Sequence, residues 1–322
     1  MKIKMVGFPP PVSKTYHNWE QGLAKHGDQY IHCDTLDDLA VTDADCFYQT
    51  NELKPKFFTG PRAETHGNVM QYIIDSQKPY IVSESAPFRK HPEFLRFGWW
   101  SYKWDLGNFN NDNVDDSRWK RFEKKTGVTF KDWNSPGDDI ILMGQKEGDS
   151  SLQRLYEAGY ESYYFWVIDI VREIRAFTDR RIVIRPHPRN LSRGIRFANK
   201  ALQRLQKENP MRNINVVISE NLTEGGNQGG EGLAADLANA YCVVTYNSLS
   251  GVEAVEEGIP VFAMDGGSMV HPIAHHDLSD IEDLRYDIDL TEWKNKIAYT
   301  MWNKEDVQSG ECWGHLKPVY FK

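Results

Sequence analysis

The stretch Val243–Val261, VVTYNSLSGVEAVEEGIPV, decides the fold. Val243–Thr245 ends an apolar, β-branched run, Tyr241–Thr245, of the kind that forms a buried strand. Tyr246-Asn-Ser is a small polar turn, and Ser250–Glu257 reads as a helix. Gly258-Ile-Pro260 then punctuates the chain where the next strand, Ile259–Ala263, begins. Strand, turn, helix and strand in this order form a parallel β-α-β unit. Asn247, Ser248, Ser250 and Gly251 fall where a helix N-terminus exposes unpaired backbone N–H groups. Small residues there let an anion approach closely. Glu253, in the first turn, is placed to accept from ribose hydroxyls. Ser250 and Glu253 also have the S-x-x-E spacing of a capping box. The strand-turn-helix order, with Asn-Ser before it, favours the anion site.

Working outward, the strand Arg181–Ile184 is followed by Arg185-Pro-His-Pro-Arg189. Prolines on both sides of His187 stiffen the loop at the carboxyl edge of the sheet, where open α/β sheets bind ligands. Arg185, His187 and Arg189 can converge on a phosphate through charge-assisted hydrogen bonds; the plainer role for His187 is structural. Further back, Ile140–Ser151, IILMGQKEGDSS, is a strand ending in a tight Gly144-Gln145 turn, with Gln145, Asp149 and Ser150 able to face the crevice. Between Arg172 and Arg204 lie ten basic and two acidic residues, a local positive tract in an acidic chain. Many of its charges suit solvated helix faces, while the tract as a whole offers a field toward a polyanion or nucleotide.

The same alternation extends in both directions. Strands are expected at Asp139–Met143, Arg181–Ile184 and Asn213–Ile218, with helices at Tyr160–Phe177, Gly194–Asn209 and Gly232–Ala240. In the first third, strands are expected at Lys2–Gly7, Tyr30–Cys33, Asp45–Tyr48 and Pro79–Ser83, and helices at His17–His26 and Val69–Ser76. A Pro-rich loop, Phe8–Val12, follows the first strand, and Glu224–Gly232 reads as a surface loop. Leu95–Asp116, rich in Trp, Tyr, Asn and Asp, reads as an ordered functional loop. The tail, Leu290–His315, reads as two short helices. The expectation is an α/β chain of two Rossmann-like domains, residues 1–135 for the acceptor and 136–289 for the donor. Helices in 290–322 would pack back across them.

Composition narrows the classes. The 322 residues are 40% hydrophobic and 26% charged, enough for packed cores. A net charge of −8 argues against a polycation wrapped in nucleic acid, although a basic patch can still form. No run approaches the ~18 apolar residues of a membrane span, and the N-terminus lacks a secretory pattern. Cys33, Cys46, Cys242 and Cys312 are scattered without CxxC spacing, which points to a reducing, cytoplasmic setting. His271, His275, His276 and Asp277 offer metal-binding chemistry, but no element fixes their geometry, so no metal is expected. Gly225–Gly230 does not follow a strand and is no dinucleotide fingerprint.

Taken together, GQKEGDSS, RPHPR and NSLSGVEAVEEGIPV, in that order and spacing, resemble capsule-polysaccharide glycosyltransferases of the β-Kdo transferase type. The resemblance covers about Asp139–Asp265. It implies a GT-B fold, two Rossmann-like domains facing a cleft, with the nucleotide-sugar held by the C-terminal domain and no metal required. By position, Gln145, His187, Ser248, Ser250, Gly251 and Glu253 would line the donor site, with Gly144, Arg185, Arg189 and Asn247 beside them. The family's acidic-Gly-Phe-Leu-Arg segment is here Glu84-Ser-Ala-Pro-Phe-Arg89, and MDGGSMVHPIAHHD replaces its usual continuation, so the donor sugar does not transfer; a UDP-sugar is the first expectation. FGWWSYKWDLGNFNN and AYTMWNKEDVQSGECWGHL are similar to glycosyltransferase-like proteins of tailed phages, which implies 5-hydroxymethylcytosine in DNA as acceptor.

Glycosyl transfer needs a stabilised leaving phosphate and a base for the acceptor hydroxyl. The base is expected at Asp105 or Glu84, either of which can equally be an ordinary loop carboxylate. Trp99, Trp100, Tyr102 and Trp104 can stack on a flipped base or a sugar, and Arg193 and Arg196 can contact DNA phosphates. The rival acceptor is a capsule or other surface glycan. Rivals in kind are a non-catalytic nucleotide-sugar or nucleic-acid binding protein and a GT-B-like epimerase.

Overall fold

The computed structural model describes residues 2–8, 15–50, 66–189, 191–208, 214–222 and 231–322. The prolines of the first loop and Gly225–Gly230 lie outside them. In chain order the first elements are β1 (Lys4–Gly7), α1 (Thr15–Ala24), β2 (Gln29–His32), α2 (Leu36–Val41), β3 (Cys46–Gln49), α3 (Asn68–Asp75), β4 (Tyr80–Ser85), β5 (Phe94–Trp99) and α4 (Ser117–Thr126). Next come β6 (Asp139–Met143), α5 (Gln153–Glu157), α6 (Tyr163–Phe177), β7 (Ile182–Arg185), α7 (Leu191–Glu208), β8 (Val216–Ile218), α8 (Glu231–Leu237), β9 (Ala240–Thr245), α9 (Ser250–Glu256) and β10 (Val261–Ala263). The tail holds α10 (Thr291–Ala298), β11 (Met301–Asn303), α11 (Lys304–Gln308) and α12 (Glu311–Leu316). The chain divides into two compact units: Met1–Pro87, His91–Thr126 and Glu292–Lys322 form one, and Phe88–Lys90 and Gly127–Thr291 the other.

The second unit carries a five-stranded sheet in the order β10-β9-β6-β7-β8. Every pair in it is parallel. Its strands are near-continuous apolar runs because helices cover both faces of such a sheet. Ile140, Leu142, Ile182, Ile184 and Val244 pack with Ile168, Ile170 and Ile174 of α6 in one core.

The first unit carries six strands in the order β11-β5-β4-β3-β1-β2. β1, β2, β3 and β4 are parallel. Neighbouring residues serve opposite faces: Met5 and Tyr48 join a core with Trp19, Phe97 and Trp313, while Val6 and Phe47 join another with Val69 and Ile73. That period of two marks a sheet buried on both sides.

Three readings are corrected here. Leu95–Asp116 is not all loop: Phe94–Trp99 forms β5, antiparallel to β4. The tail is not purely helical: β11 adds an antiparallel edge strand against β5. This sheet is therefore mixed rather than Rossmann-like throughout. The cause is in the tail, whose Trp302 and Trp313 are fully buried among the strands of the first unit. Arg118 of α4 fastens it. The guanidinium lies 3.5 Å from the Trp302 ring centroid and donates to Ala298 O at 2.9 Å and to Met301 O. It also pairs with Asp306 (2.8 Å) and Glu311 (3.2 Å).

Candidate functional site

The registers of β6, β7, β9 and β10 bring Met143, Arg185, Thr245 and Ala263 level at one edge of the five-stranded sheet. The loops that follow leave from that edge side by side. Gly144 N donates to Arg185 O at 2.7 Å, Met264 N to Thr245 O at 2.9 Å, and Asp265 N to Tyr246 O at 3.0 Å. Gly144 is required by closeness: a Cβ there would sit 2.7 Å from Arg185 O and 3.1 Å from His187 N.

On this edge the polar side chains meet one another. Gln145 Nε2 donates to Asn247 Oδ1 (2.7 Å) and Ser151 Oγ (3.0 Å), and Asn247 N donates to Gln145 Oε1 (3.2 Å). Asn247 Nδ2 donates to Ser151 O and to Asp265 Oδ1, each at 2.9 Å. The same Asp265 oxygen accepts from Gly267 N (3.0 Å) and Arg154 Nη2 (2.8 Å). Asn247 and Asp265 are buried, so these bonds offset a real desolvation cost and hold the loops in one geometry.

His187 is half-buried, and its Nδ1 accepts from Arg189 N at 3.0 Å. Burial holds its pKa below the ordinary value; Asp149 pulls it up, while Arg89 and Arg189 add to the lowering. Asp149 itself accepts from Ser151 N at 3.0 Å and so shapes the turn before α5. Arg189 is exposed, and Ser248 and Ser250 are half-buried. Ser248 N donates to Thr245 Oγ1 at 3.0 Å, and Ser250 N to Ser248 Oγ at 3.3 Å. Gly251 and Glu253 are buried, and α9 starts without a side-chain cap, so the capping-box alternative does not form.

Arg185 faces inward. Its Nη1 pairs with buried Asp236 and donates to Asn221 O (3.0 Å) and Gly232 O (3.1 Å). Ser219 Oγ and Asn221 Nδ2 complete the shell around Asp236. This guanidinium ties α8 and the segment after β8 to β7, and its charge is spent inside.

Much of the basic tract is paired in the same way. Arg172 and Arg204 pair with Glu208, Arg180 with Asp138 and Glu282, and Arg181 with Asp139. Arg175 donates to Ile214 O, Thr178 O, Arg180 O and Asn215 O. Arg193, Arg196 and Lys200 of α7 are exposed.

In the first unit, Trp99 is fully buried and donates to Leu316 O at 2.9 Å, and Tyr102 is 4% exposed beneath the Arg96 guanidinium. Tail residues and Arg96 enclose the two rings. Trp100 and Trp104 are half-buried. Asp105 is exposed, and Glu84 is half-buried with Oε1 accepting from Ser85 N at 2.8 Å.

Among the described residues, no group of three or more His, Cys, Asp or Glu is placed to hold a metal ion. His275 stacks on Phe262 at 4.8 Å, and the His271 and His276 rings stack on each other at 3.9 Å. Nor is any helix among them long and apolar enough to cross a membrane.

Arg154 and Asp265 belong to this network and are not singled out by the sequence. Asp265 had a signal, since it lies two residues after the last strand of the β-α-β unit. Arg154 had none; it sits in the five-residue helix α5 after a polar loop.

No family model matches the sequence, and no curated protein matches it. Among solved structures, KpsC β-Kdo 2,7-transferase of Thermosulfurimonas dismutans aligns over 97% of this chain and 98% of its own, with 12% identity and a TM-score of 0.48. The β-Kdo 2,4-transferase of KpsC from the same organism aligns over 93% and 90%, with 13% identity and a TM-score of 0.49. Aspartate transcarbamoylase of Trypanosoma cruzi in complex with phosphate aligns over 95% and 82%, with 11% identity and a TM-score of 0.25.

Proposed function

We propose that the chain is a glycosyltransferase that takes a nucleotide-sugar donor at the carboxyl edge of β6, β7, β9 and β10. The observation that carries this reading is the hydrogen-bonded run Gln145–Asn247–Asp265. It is a fixed set of polar groups at the edge where parallel α/β sheets bind ligands. The motif resemblance over Asp139–Asp265 supports it and names the chemistry. In that reaction the bond from the anomeric carbon to the phosphate oxygen breaks as the acceptor oxygen bonds to that carbon. The acceptor proton passes to a carboxylate base. Gln145, His187, Asn247, Ser248 and Ser250 would hold the donor, and Arg189 would face its charge. Asp105 or Glu84 would be the base.

The test is calorimetric titration of UDP-, CMP- and GDP-sugars against the wild type, Asn247→Ala and His187→Ala. Binding of one donor class, weakened about ten- to a hundred-fold in each variant, is expected. If no nucleotide-sugar binds the wild type, the reading fails. Release of sugar from bound donor separates an enzyme from a non-catalytic binding protein. Asp105→Asn against Glu84→Gln, compared by turnover at unchanged donor affinity, separates the two bases.

For the acceptor we propose a glycan, because Arg172, Arg180, Arg181 and Arg204 of the basic tract are paired with carboxylates and leave fewer cations to meet DNA phosphates. The second reading, hydroxymethylcytosine in DNA, is favoured by one observation. Arg193, Arg196 and Lys200, at i, i+3 and i+7, share an exposed face of α7. Transfer to such DNA that falls steeply with salt, and a shallower slope in Arg193→Glu with Arg196→Glu, would decide for DNA.

A further inference from the structure

We infer that Arg154, held in place by Asp265, recognises the phosphate of the nucleotide alongside Arg189, and that Arg185 has no part in it. The inference rests on the reading of this edge as a nucleotide site. Arg185, the cation nearest the expected motif, is turned inward onto Asp236, and its side chain is only 10% exposed. Arg154 differs in the way that matters for a ligand. Its side chain is 29% exposed, while the Asp265 carboxylate that orients it is 7% exposed. One Asp265 oxygen takes Arg154 Nη2 at 2.8 Å and Asn247 Nδ2 at 2.9 Å. The guanidinium is therefore fixed directly beside the amide network that continues to Gln145 and Ser151.

The surroundings suit an anion. Both acidic residues of the preceding loop are engaged within the fold: Asp149 accepts from Ser151 N (3.0 Å), and Glu147 faces the start of α6. Its carboxylate accepts from Ser162 Oγ (2.9 Å), Tyr163 N (3.1 Å) and Tyr156 OH (3.0 Å). A guanidinium presents a planar fork of N–H donors that matches phosphate oxygens. Because Asp265 already restrains its rotamers, Arg154 loses less side-chain entropy when a ligand arrives, which raises affinity without adding a contact. Asp265 is a positioning residue in this arrangement; it orients Arg154.

The ligand class follows: a nucleoside mono- or diphosphate, free or carrying a sugar, discriminated from the bare nucleoside. The probes are uridine and cytidine, with their mono- and diphosphates, titrated by calorimetry into the full chain. In Arg154→Gln, affinity for the phosphorylated probes should fall about ten- to a hundred-fold while nucleoside affinity stays unchanged. Arg154→Lys keeps the charge without the fork and should recover part of the loss. Asp265→Asn keeps an acceptor for Asn247 but loosens Arg154, so it should show the same phosphate-selective loss, smaller in size. Thermal melts of all three variants confirm that the chain is folded.

Two results overturn the assignment alone. One is a wild type that binds phosphorylated probes while Arg154→Gln binds them equally well. The other is an equal loss for nucleoside and nucleotide, which makes Arg154 a wall of the site and not its phosphate reader. A wild type that binds none of the phosphorylated probes overturns the nucleotide reading of the edge, and this assignment with it.

Discussion

At the carboxyl edge of β6, β9 and β10, polar side chains from three separate loops bond to one another: Gln145, Ser151, Asn247, Asp265 and Arg154. At the end of β5 and in the loop after it, a sequence equally rich in chemistry turns inward. Trp99 donates to Leu316 O, Tyr102 lies under Arg96, and Gly98 and Gly107 both press against Phe109. The tail holds this loop as well: Asn110 donates to His315 O at 2.7 Å, and the His315 ring bonds to Phe109 O at 2.9 Å. The two regions show that residue type sets what a group can do, and the segment packed against it sets whether it does so. Over the aromatic loop that segment is the C-terminal tail. At the sheet edge the polar groups partner one another.

The comparison breaks most visibly at Arg118. Arg118→Ala leaves Asp306 without its guanidinium and removes the ring contact to Trp302, which should cost about 3–5 kcal/mol. Chemical denaturation followed by tryptophan fluorescence reads this loss. A cost below about 1 kcal/mol would mean that the tail does not depend on this clamp. At the sheet edge, Arg185→Ala should cost about 3 kcal/mol because buried Asp236 loses its charge partner. Arg189→Ala, four residues on in the same loop and exposed, should stay within about 0.5 kcal/mol. Equal effects in the two melts would erase the distinction between an inward and an outward arginine.

Gly107→Ala sharpens the contrast at smaller scale. Its Cβ would lie 2.4 Å from Ser101 O and 2.7 Å from the Phe109 ring, an overpacking worth about 1–3 kcal/mol. Nucleotide affinity at the sheet edge should not change. The smallest effect is a pH dependence. Burial lowers the pKa of His187, His275 and His315 below 6.5. The unfolded chain then binds protons that the folded chain refuses, so their contribution is complete above pH 6.5 and is lost as pH falls through that value toward the folded pKa. His187→Asn should flatten this part of the stability–pH curve. An unchanged curve would show that the imidazole is as easily protonated in the fold as in the unfolded chain.

Local pattern made part of this molecule legible. The run DIILM is β6 residue for residue, Ser250–Glu257 runs one residue past the end of α9, and Val69–Ser76 is shifted by one residue from α3. Apolar periodicity and turn residues act over a few positions, and both lie within the sequence window that shows them. The short helices α2, α4 and α5 were missed. They are polar or brief, and packing rather than propensity holds them.

From the sequence alone follow the α/β class, the parallel β-α-β unit around Val243–Val261, and the edge where Gln145, His187 and Asn247 would appear. Tertiary structure decided the rest. Gln145 and Asn247 are 102 positions apart, and Arg154 and Asp265 are 111 apart, so no local pattern announces either pair. Trp99 meets Leu316 across 217 positions, and β11 joins β5 from the far end of the chain. Burial of an arginine or a tryptophan depends on which distant segment covers it. A cation is held inside only where a carboxylate arrives with it, as Asp236 does for Arg185.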